Sequence, residues 1–214
     1  MSQDEIYIKV AIIGSVGVGK TSIINRFYKD EFDDKTSSTL GVNYSQKKMI
    51  ISNKNINMNI WDTAGQERFQ SMSRQFYQNS DIIIIVYDMT KINSFEDIKT
   101  HWYNDVRENA NQYKVLGIVG NKFDLYDNKD IEEIDENIIK DYINTISFEN
   151  DFPIIHMKVS AKTGVNITRL FKELASKYLE KELHILIRNQ SLQKTQSFKI
   201  NDGKNKGKEM KKCC

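Results

Sequence analysis

Cysteine is nearly missing from this chain. Its 214 residues include two, Cys213 and Cys214, side by side at the end. A globule without internal cysteine holds no internal disulfide, which suits a reducing compartment and argues against a secreted, cross-linked scaffold. Long apolar runs are missing too: no stretch approaches the roughly 20 residues that a membrane-spanning helix needs. The first residues, MSQDEIYIKV, have neither a basic start nor an apolar centre, so no secretory leader is expected. Ser2 stands where N-myristoylation needs glycine. The three histidines, His101, His156 and His184, share no metal-ligand spacing with cysteines or carboxylates and read as structural.

What remains is an ordinary globular composition, 39% hydrophobic and 28% charged, with length for one ample domain. The net charge of +2 conceals an asymmetry. Residues 181–214 carry nine Lys/Arg against three Asp/Glu, whereas residues 1–180 carry 22 against 26. A mildly acidic globule with a basic tail implies an anionic partner for the tail, either a membrane surface or nucleic acid.

The richest stretch is Gly14-Ser15-Val16-Gly17-Val18-Gly19-Lys20-Thr21, which fits G-x-x-x-x-G-K-[ST]. It follows a β-branched run, Ile6 to Ile13, that reads as a strand. It precedes Thr21 to Tyr28, whose Ile23, Ile24 and Phe27 share a helix face. Glycines let the backbone N–H groups curl around a phosphate, and the helix N-terminus adds partial positive charge. Lys20 can reach the outer phosphates and the Thr21 hydroxyl can ligate Mg²⁺. By itself the loop does not distinguish a kinase from an ATPase or a GTPase.

Along the chain, 29–40 reads as a loop. Val42 to Ser52 and Ile56 to Trp61 read as strands joined by the turn Ser52-Asn53-Lys54-Asn55. In the second, Asn53, Asn55, Asn57 and Asn59 alternate with Ile56, Met58 and Ile60, predicting one wet and one buried face. A helix is expected to about Asn79. The continuous apolar runs at 81–88 and 114–120 predict strands buried on both faces, and a last strand follows at 153–159. Between them lie a helix at 93–109 and one carrying Ile131, Ile134, Ile138, Tyr142, Ile143 and Ile146 on its inner face. The final helix runs from Asn166 to about Leu186, with Ile167, Leu170, Phe171 and Leu174 inward. This alternation predicts an α/β, P-loop NTPase fold: a six-stranded, mostly parallel sheet with one antiparallel edge strand, and five helices on both faces. Residues 1–180 form its domain; 181–214 hold the end of the last helix and a basic tail expected to be flexible.

Ligands in such sheets bind beyond the carboxyl ends of the strands, where the remaining motifs fall. In Trp61-Asp62-Thr63-Ala64-Gly65-Gln66-Glu67, Asp62 is placed to hold Mg²⁺ indirectly, Gly65 to offer its N–H to a γ-phosphate, and Gln66 to orient a water. In Asn121-Lys122-Phe123-Asp124, the Asp124 carboxylate can accept both the N1–H and the 2-amino group of guanine, donors that adenine lacks. Ser160-Ala161-Lys162 can give backbone N–H groups to the guanine carbonyl.

The ordered set GSVGVGKT, Thr39, WDTAGQE, NKFD and SAK resembles the Ras superfamily of small GTPases over about residues 6–180. The double-cysteine end, with TLGVNY, ERFQSMS, FYQNSD and IIIIVYDMT, is similar to the Rab branch. The resemblance implies a switch that binds and hydrolyses GTP to regulate vesicle traffic, with GTP/GDP and Mg²⁺ as ligands and Gln66 and Lys20 as catalytic residues. The nucleotide would be enclosed by Ser15, Val16, Gly17, Val18, Gly19, Lys20, Thr21 and Ser22, with Gly65 at the γ-phosphate. Phe32 would pack on the guanine edge, Lys122 along the base, and Asn121, Asp124, Ser160, Ala161 and Lys162 around it. Thr21, Thr39 and Asp62 would hold the metal, with Thr39 sensing the γ-phosphate. Leu40, Gly41, Val42 and the aromatic triad Tyr44, Trp61 and Phe76 would face effectors.

The implied partners are an exchange factor, a GTPase-activating protein, effectors, Rab escort protein and GDP-dissociation inhibitor. Two geranylgeranyl groups on Cys213 and Cys214 would anchor a monomer to the cytoplasmic face of intracellular membranes, cycling with the cytosol. Two lipids are physically apt, because a single chain holds a membrane only marginally, at about 0.8 kcal/mol per buried CH₂. The terminal cysteines argue against nucleic acid as the tail's partner. Leu40-Gly41-Val42-Asn43-Tyr44 replaces the usual Rab I-G-V-D-F, and Phe76-Tyr77-Gln78-Asn79-Ser80 replaces Y-Y-R-G-A. These departures bear on effectors and exchange factors. Val16 stands where Rab loops usually have Ser and Ras has Gly, beside the γ-phosphate, and could crowd Gln66, the attacking water or an incoming arginine. Three readings follow: a hydrolysing switch, a persistently GTP-loaded binding module, and a metabolite kinase, the last at odds with Asn121-Lys122-x-Asp124.

Overall fold

The computed structural model describes residues 5–34, 39, 41–63, 70–110, 113–126 and 134–206. The strands are β1 (Glu5–Ile13), β2 (Val42–Ile51), β3 (Lys54–Thr63), β4 (Ile82–Asp88), β5 (Val115–Asn121) and β6 (Ile154–Lys158). They form one sheet in the order β2-β3-β1-β4-β5-β6. All neighbours are parallel except β2 and β3, which are antiparallel. The helices among the described residues are α1 (Lys20–Lys29), α2 (Gln70–Tyr77), α3 at 92–109, α4 (Glu136–Phe148) and α5 (Ile167–Lys206), with a single 3₁₀ turn at Phe123–Leu125. This is the expected α/β architecture. Every residue of β4 and β5 is buried, as their unbroken apolar runs require of strands covered on both faces.

The structure corrects four local expectations. The β2–β3 turn has two residues, not four. Ser52 and Asn53 have φ of 49° and 59°, a left-handed pair of the kind that suits tight hairpins, and Lys54 and Asn55 already pair with Ile51 and Ile50. Asn57, assigned to a wet face, is 3% exposed. The reason is strand order: β3 lies between β1 and β2, and Asn57 sits between Tyr7 and Lys48. In α4, Ile138 is 43% exposed while Ile139 and Ile146 are buried. Asp135 caps the helix by accepting the Asn137 N–H at 2.8 Å, and that start phases Ile139 and Ile146 inward. Ile131 lies outside the described residues. Finally, α5 continues to Lys206, well past Leu186. The apolar period ends near Leu186, but Gln, Lys and Arg are good helix formers and no proline interrupts them.

The chain divides into two compact units, Met1–Tyr178 and Leu179–Cys214. In the first, Phe27 of α1 stacks on Phe171 of α5 with ring centroids 3.8 Å apart and planes 15° apart. Aromatic stacking of this kind is worth about 0.5–1.5 kcal/mol beyond area burial, and it holds α1 by its C-terminal half. In the second, Leu183, Leu186 and Ile187 are exposed.

α3 is not a uniform helix. An α segment (Ile92–Asp97) passes into a π segment (Ile98–Trp102) and back to α (Tyr103–Asn109). The inward residues Phe95, Ile98, Trp102 and Val106 are nonetheless all buried, as their spacing predicts. Such wide turns recur near functional sites.

Candidate functional site

A cavity of about 360 Å³ opens at the carboxyl ends of β1, β3 and β5. One end is walled by the loop between β1 and α1, including Val16, Gly17, Gly19, Lys20, Thr21 and Ser22. The other is walled by Asn121, Lys122, Asp124, Ala161 and Lys162. Phe32 and Thr39 complete it.

The loop's shape explains its glycines. A Cβ on Gly14 (φ 137°) would lie 2.3 Å from the Val86 carbonyl oxygen of β4, and one on Gly19 (φ 94°) would lie 2.3 Å from Asn121 Nδ2. Lys20 folds back over the loop, donating to the Gly14 and Ser15 carbonyls at 2.7 and 2.9 Å. Burial lowers its ammonium to about 8, with the Asp62 charge opposing. The loop is also gripped from α3, through residues that sequence reading passed over. The Ser15 hydroxyl donates to Asp97 Oδ2 at 2.6 Å and accepts the Trp102 indole N–H at 3.1 Å.

The three expected metal ligands meet. Thr21 Oγ1 donates to Asp62 Oδ2 at 2.6 Å and lies 2.8 Å from Thr39 Oγ1. Asp62 is 4% exposed, and its Oδ1 is buried with no hydrogen-bond partner among the described residues. Burial raises the Asp62 carboxyl while the Thr21 hydroxyl holds it down. Clustered hard oxygens with an orphaned carboxylate atom fit Mg²⁺, which takes few protein ligands and completes its shell with phosphates and water. No cluster of three or more His, Cys, Asp or Glu exists among the described residues.

At the opposite end, Asn121 straps two loops together: Nδ2 donates to the Val18 carbonyl at 2.9 Å and Oδ1 accepts the Ala161 N–H at 3.1 Å. The Ala161 N–H expected to face a guanine carbonyl is thus already paired. So is that of Ser160, which bonds the Val165 carbonyl at 3.0 Å. The Ser160 hydroxyl instead donates to Asp124 Oδ1 at 2.6 Å, orienting that carboxylate. Lys122 has a left-handed backbone (φ 66°), a conformation that costs a non-glycine residue on the order of 1–3 kcal/mol. Its ammonium pairs at 2.6 Å with Asp88, which is 1% exposed, so the aliphatic stem is what remains for the cavity wall.

The aromatic triad is assembled as well. Tyr44 and Trp61 have centroids 5.0 Å apart, and Trp61 and Phe76 5.3 Å. Tyr44 is 51% exposed, so this cluster is not simply core. Gly41 precedes and Val42 opens β2, the strand that carries Tyr44. Leu40, Gly65, Gln66, Cys213 and Cys214 lie outside the described residues. The histidines behave as structural groups where their contacts are known. His156 accepts or donates at 3.0 Å with Tyr87 and stacks on it, and His101 meets Trp102 edge-on.

Besides Asp97, Trp102 and Asp88, sequence reading missed Thr63, Asp33, Asp34 and Leu125 on the cavity wall, and Arg26 behind it. No local pattern marks them: Arg26, Thr63, Asp34, Asp88, Asp97 and Trp102 each meet a partner distant in sequence, and Asp33 and Leu125 are placed on the wall by the fold. Compared with known proteins, residues 9–180 match the family model described as the Ras family. The chain is also 38% identical over 168 residues to the Ras-related protein Rab-22A of Mus musculus and of Homo sapiens, covering 78% of this chain and 81% of each relative.

Proposed function

The chain belongs to the Ras family, as a small GTPase of the Rab branch, and from that premise we propose that it is a guanine-nucleotide switch in vesicle traffic that recruits effectors when GTP-bound. The observation that carries this reading is a single cavity with a phosphate loop at one end and Asn121, Lys122 and Asp124 at the other. Its volume of about 360 Å³ lies in the range of small-molecule sites, and its far wall offers the carboxylate that guanine needs.

In this reading the backbone of Ser15 to Ser22 encloses the phosphates. Lys20 turns from the Gly14 and Ser15 carbonyls toward the outer phosphates. Thr21, Thr39 and Asp62 would hold Mg²⁺, which would supply positive charge against the charge that develops on the phosphates. Asp124, steadied by Ser160, accepts the two guanine donors. Gln66 orients the attacking water and Gly65 contacts the γ-phosphate. Since phosphoryl transfer is almost entirely positioning, these residues act by holding atoms in place rather than by covalent chemistry. The Tyr44–Trp61–Phe76 cluster, with Leu40, Gly41 and Val42, presents the nucleotide state to effectors. Cys213 and Cys214 carry the lipids, and exchange factor, activating protein, escort protein and dissociation inhibitor act on this frame.

Competition of guanine and adenine nucleotides for the purified protein tests the reading. Guanine nucleotides should win by several orders of magnitude, because a site built to pair a donor rejects analogues lacking it by about 10⁴ to 10⁵. Asp124→Asn should shift preference toward xanthine nucleotides. Equal affinity for GTP and ATP would end it. Val16 supports a second reading, a switch held in its GTP state by impaired hydrolysis: its side chain is 49% exposed and lines the phosphate end of the cavity.

A further inference from the structure

Arg26 lies on the last turn of α1, outside the cavity wall, yet its guanidinium is committed to the loop that closes the base end. Nε donates to the Ala161 carbonyl at 2.8 Å and Nη2 to the Lys162 carbonyl at 2.7 Å, across more than 130 residues of sequence. Nη1 is turned the other way, to the Asp30 carbonyl at 2.8 Å and Asp30 Oδ1 at 3.1 Å. Asp30 is the left-handed C-cap of α1, and its own N–H returns to the Arg26 carbonyl. All three nitrogens of the guanidinium are therefore engaged, which is the fixed fork geometry arginine offers and lysine cannot copy.

We infer that Arg26 is a positioning residue for base recognition, setting the orientation of the Ala161–Lys162 peptide and the spacing between base and phosphate ends of the cavity. This rests on the nucleotide-site reading above. A trans peptide points its N–H opposite to its C=O. By drawing the Ala161 oxygen toward α1, Arg26 turns the Lys162 N–H away from that helix. By drawing the Lys162 oxygen, it turns the Thr163 N–H, which meets the Ser160 hydroxyl at 3.0 Å; that hydroxyl is the group that orients Asp124. The remaining loop bonds, Gly164 N–H to the Ser160 carbonyl and Ser160 N–H to the Val165 carbonyl, are internal and do not tie the loop to α1.

The same helix carries both ends of the cavity. Lys20 and Thr21 open α1 at the phosphate end, and Arg26 lies six residues on, roughly 9 Å along the axis. Phe27, next to Arg26, is locked against Phe171. The Asn121 strap joins the base loop to the phosphate loop, and Arg26 joins it to the helix. Loss of Arg26 removes the loop's hydrogen bonds to α1 and leaves it tied through Asn121 and through the Ser160–Asp124 bond.

The test is the release rate of a fluorescent guanine nucleotide, read beside single-turnover hydrolysis of bound GTP, for wild type, Arg26→Ala, Arg26→Gln and Arg26→Lys. The thermal midpoint of each nucleotide-loaded variant is measured in parallel. Arg26→Ala should release GDP and GTP faster by a similar factor of at least about ten, because the base contacts are common to both. Hydrolysis of GTP already bound should change less than about threefold, and the guanine-over-adenine ratio should narrow. Arg26→Lys, which can reach one carbonyl at a time, should fall between. Unchanged release in Arg26→Ala would overturn the inference. So would faster release accompanied by an equally large loss of hydrolysis and a lowered thermal midpoint, with Lys no better than Ala, since that marks a structural role alone. Failure of the wild type to prefer guanine would instead sink the nucleotide-site reading.

Discussion

The Trp102 indole N–H donates to the Ser15 hydroxyl at 3.1 Å, so α3 grips the phosphate loop one residue before Val16. The same hydroxyl is tied to Asp97. A loop held this way cannot swing freely to move the Val16 side chain off the phosphate end of the cavity.

Val16 should therefore slow hydrolysis while leaving nucleotide affinity normal, because the backbone contacts to phosphate do not use its side chain. Val16→Ser or Val16→Gly should raise the rate stimulated by activating protein at least about tenfold, which requires only about 1.4 kcal/mol of relief in the transition state. Gln66→Leu should cost little further beside Val16 if both act on one step. Equal stimulated single-turnover rates in wild type and Val16→Ser would remove the crowding argument.

Thr21 contacts both Asp62 and Thr39, so on the proposed reading metal and switch would be interdependent. Thr21→Asn should weaken GTP more than GDP and hold the protein off. Chelation of Mg²⁺ should accelerate nucleotide release about tenfold or more in wild type, and much less in the variant. A Thr21→Asn protein that bound GTP as tightly as wild type would show that Thr21 is no ligand.

Acid stability should carry the mark of His156. Burial, aided by the Lys158 charge and opposed by Glu136, lowers its pKa from 6.5 to about 4. Between those values the unfolded chain binds a proton that the folded chain does not. The stabilisation is thus complete above about pH 6.5 and is lost as pH falls toward 4. At about 1.4 kcal/mol per pKa unit, the loss is on the order of 2–3 kcal/mol. Glu136 lies below its ordinary value because of Lys158, so its own contribution is lost at still lower pH. Urea midpoints taken from pH 7.5 down to 4.5 should slope downward in wild type and flatten in His156→Gln. Parallel curves for the two proteins would assign the slope elsewhere.

Cys213 and Cys214, followed in cells by fractionation, should anchor the protein, with the tail lysines adding roughly 1 kcal/mol each near anionic lipid. Cys213→Ser with Cys214→Ser should leave the protein soluble with unchanged nucleotide binding. Membrane retention of the double variant would point to another anchor.

Much of this protein could be read locally. Strand and helix identity follow from periods of two and about 3.6 residues, and the motifs fall at strand ends because loops there must bend over a ligand. GSVGVGKT and NKFD therefore announced residues of the cavity wall, and the apolar runs of β4 and β5 announced their burial. Asn57 did not, because alternation along one strand says nothing of the strands beside it; β3 became interior only when β1 paired with its other edge. Arg26, Ser15, Asp97 and Trp102 were silent for a related reason. An arginine on a half-exposed helix face or a serine in a loop looks the same in sequence whether it meets solvent or a carbonyl 135 residues away. Sequence alone determined which residues carry the chemistry proposed for phosphate and guanine, because that chemistry lies in short backbone and side-chain patterns. Only the tertiary structure decided what holds them in place, because strand order and helix crossings bring those partners together.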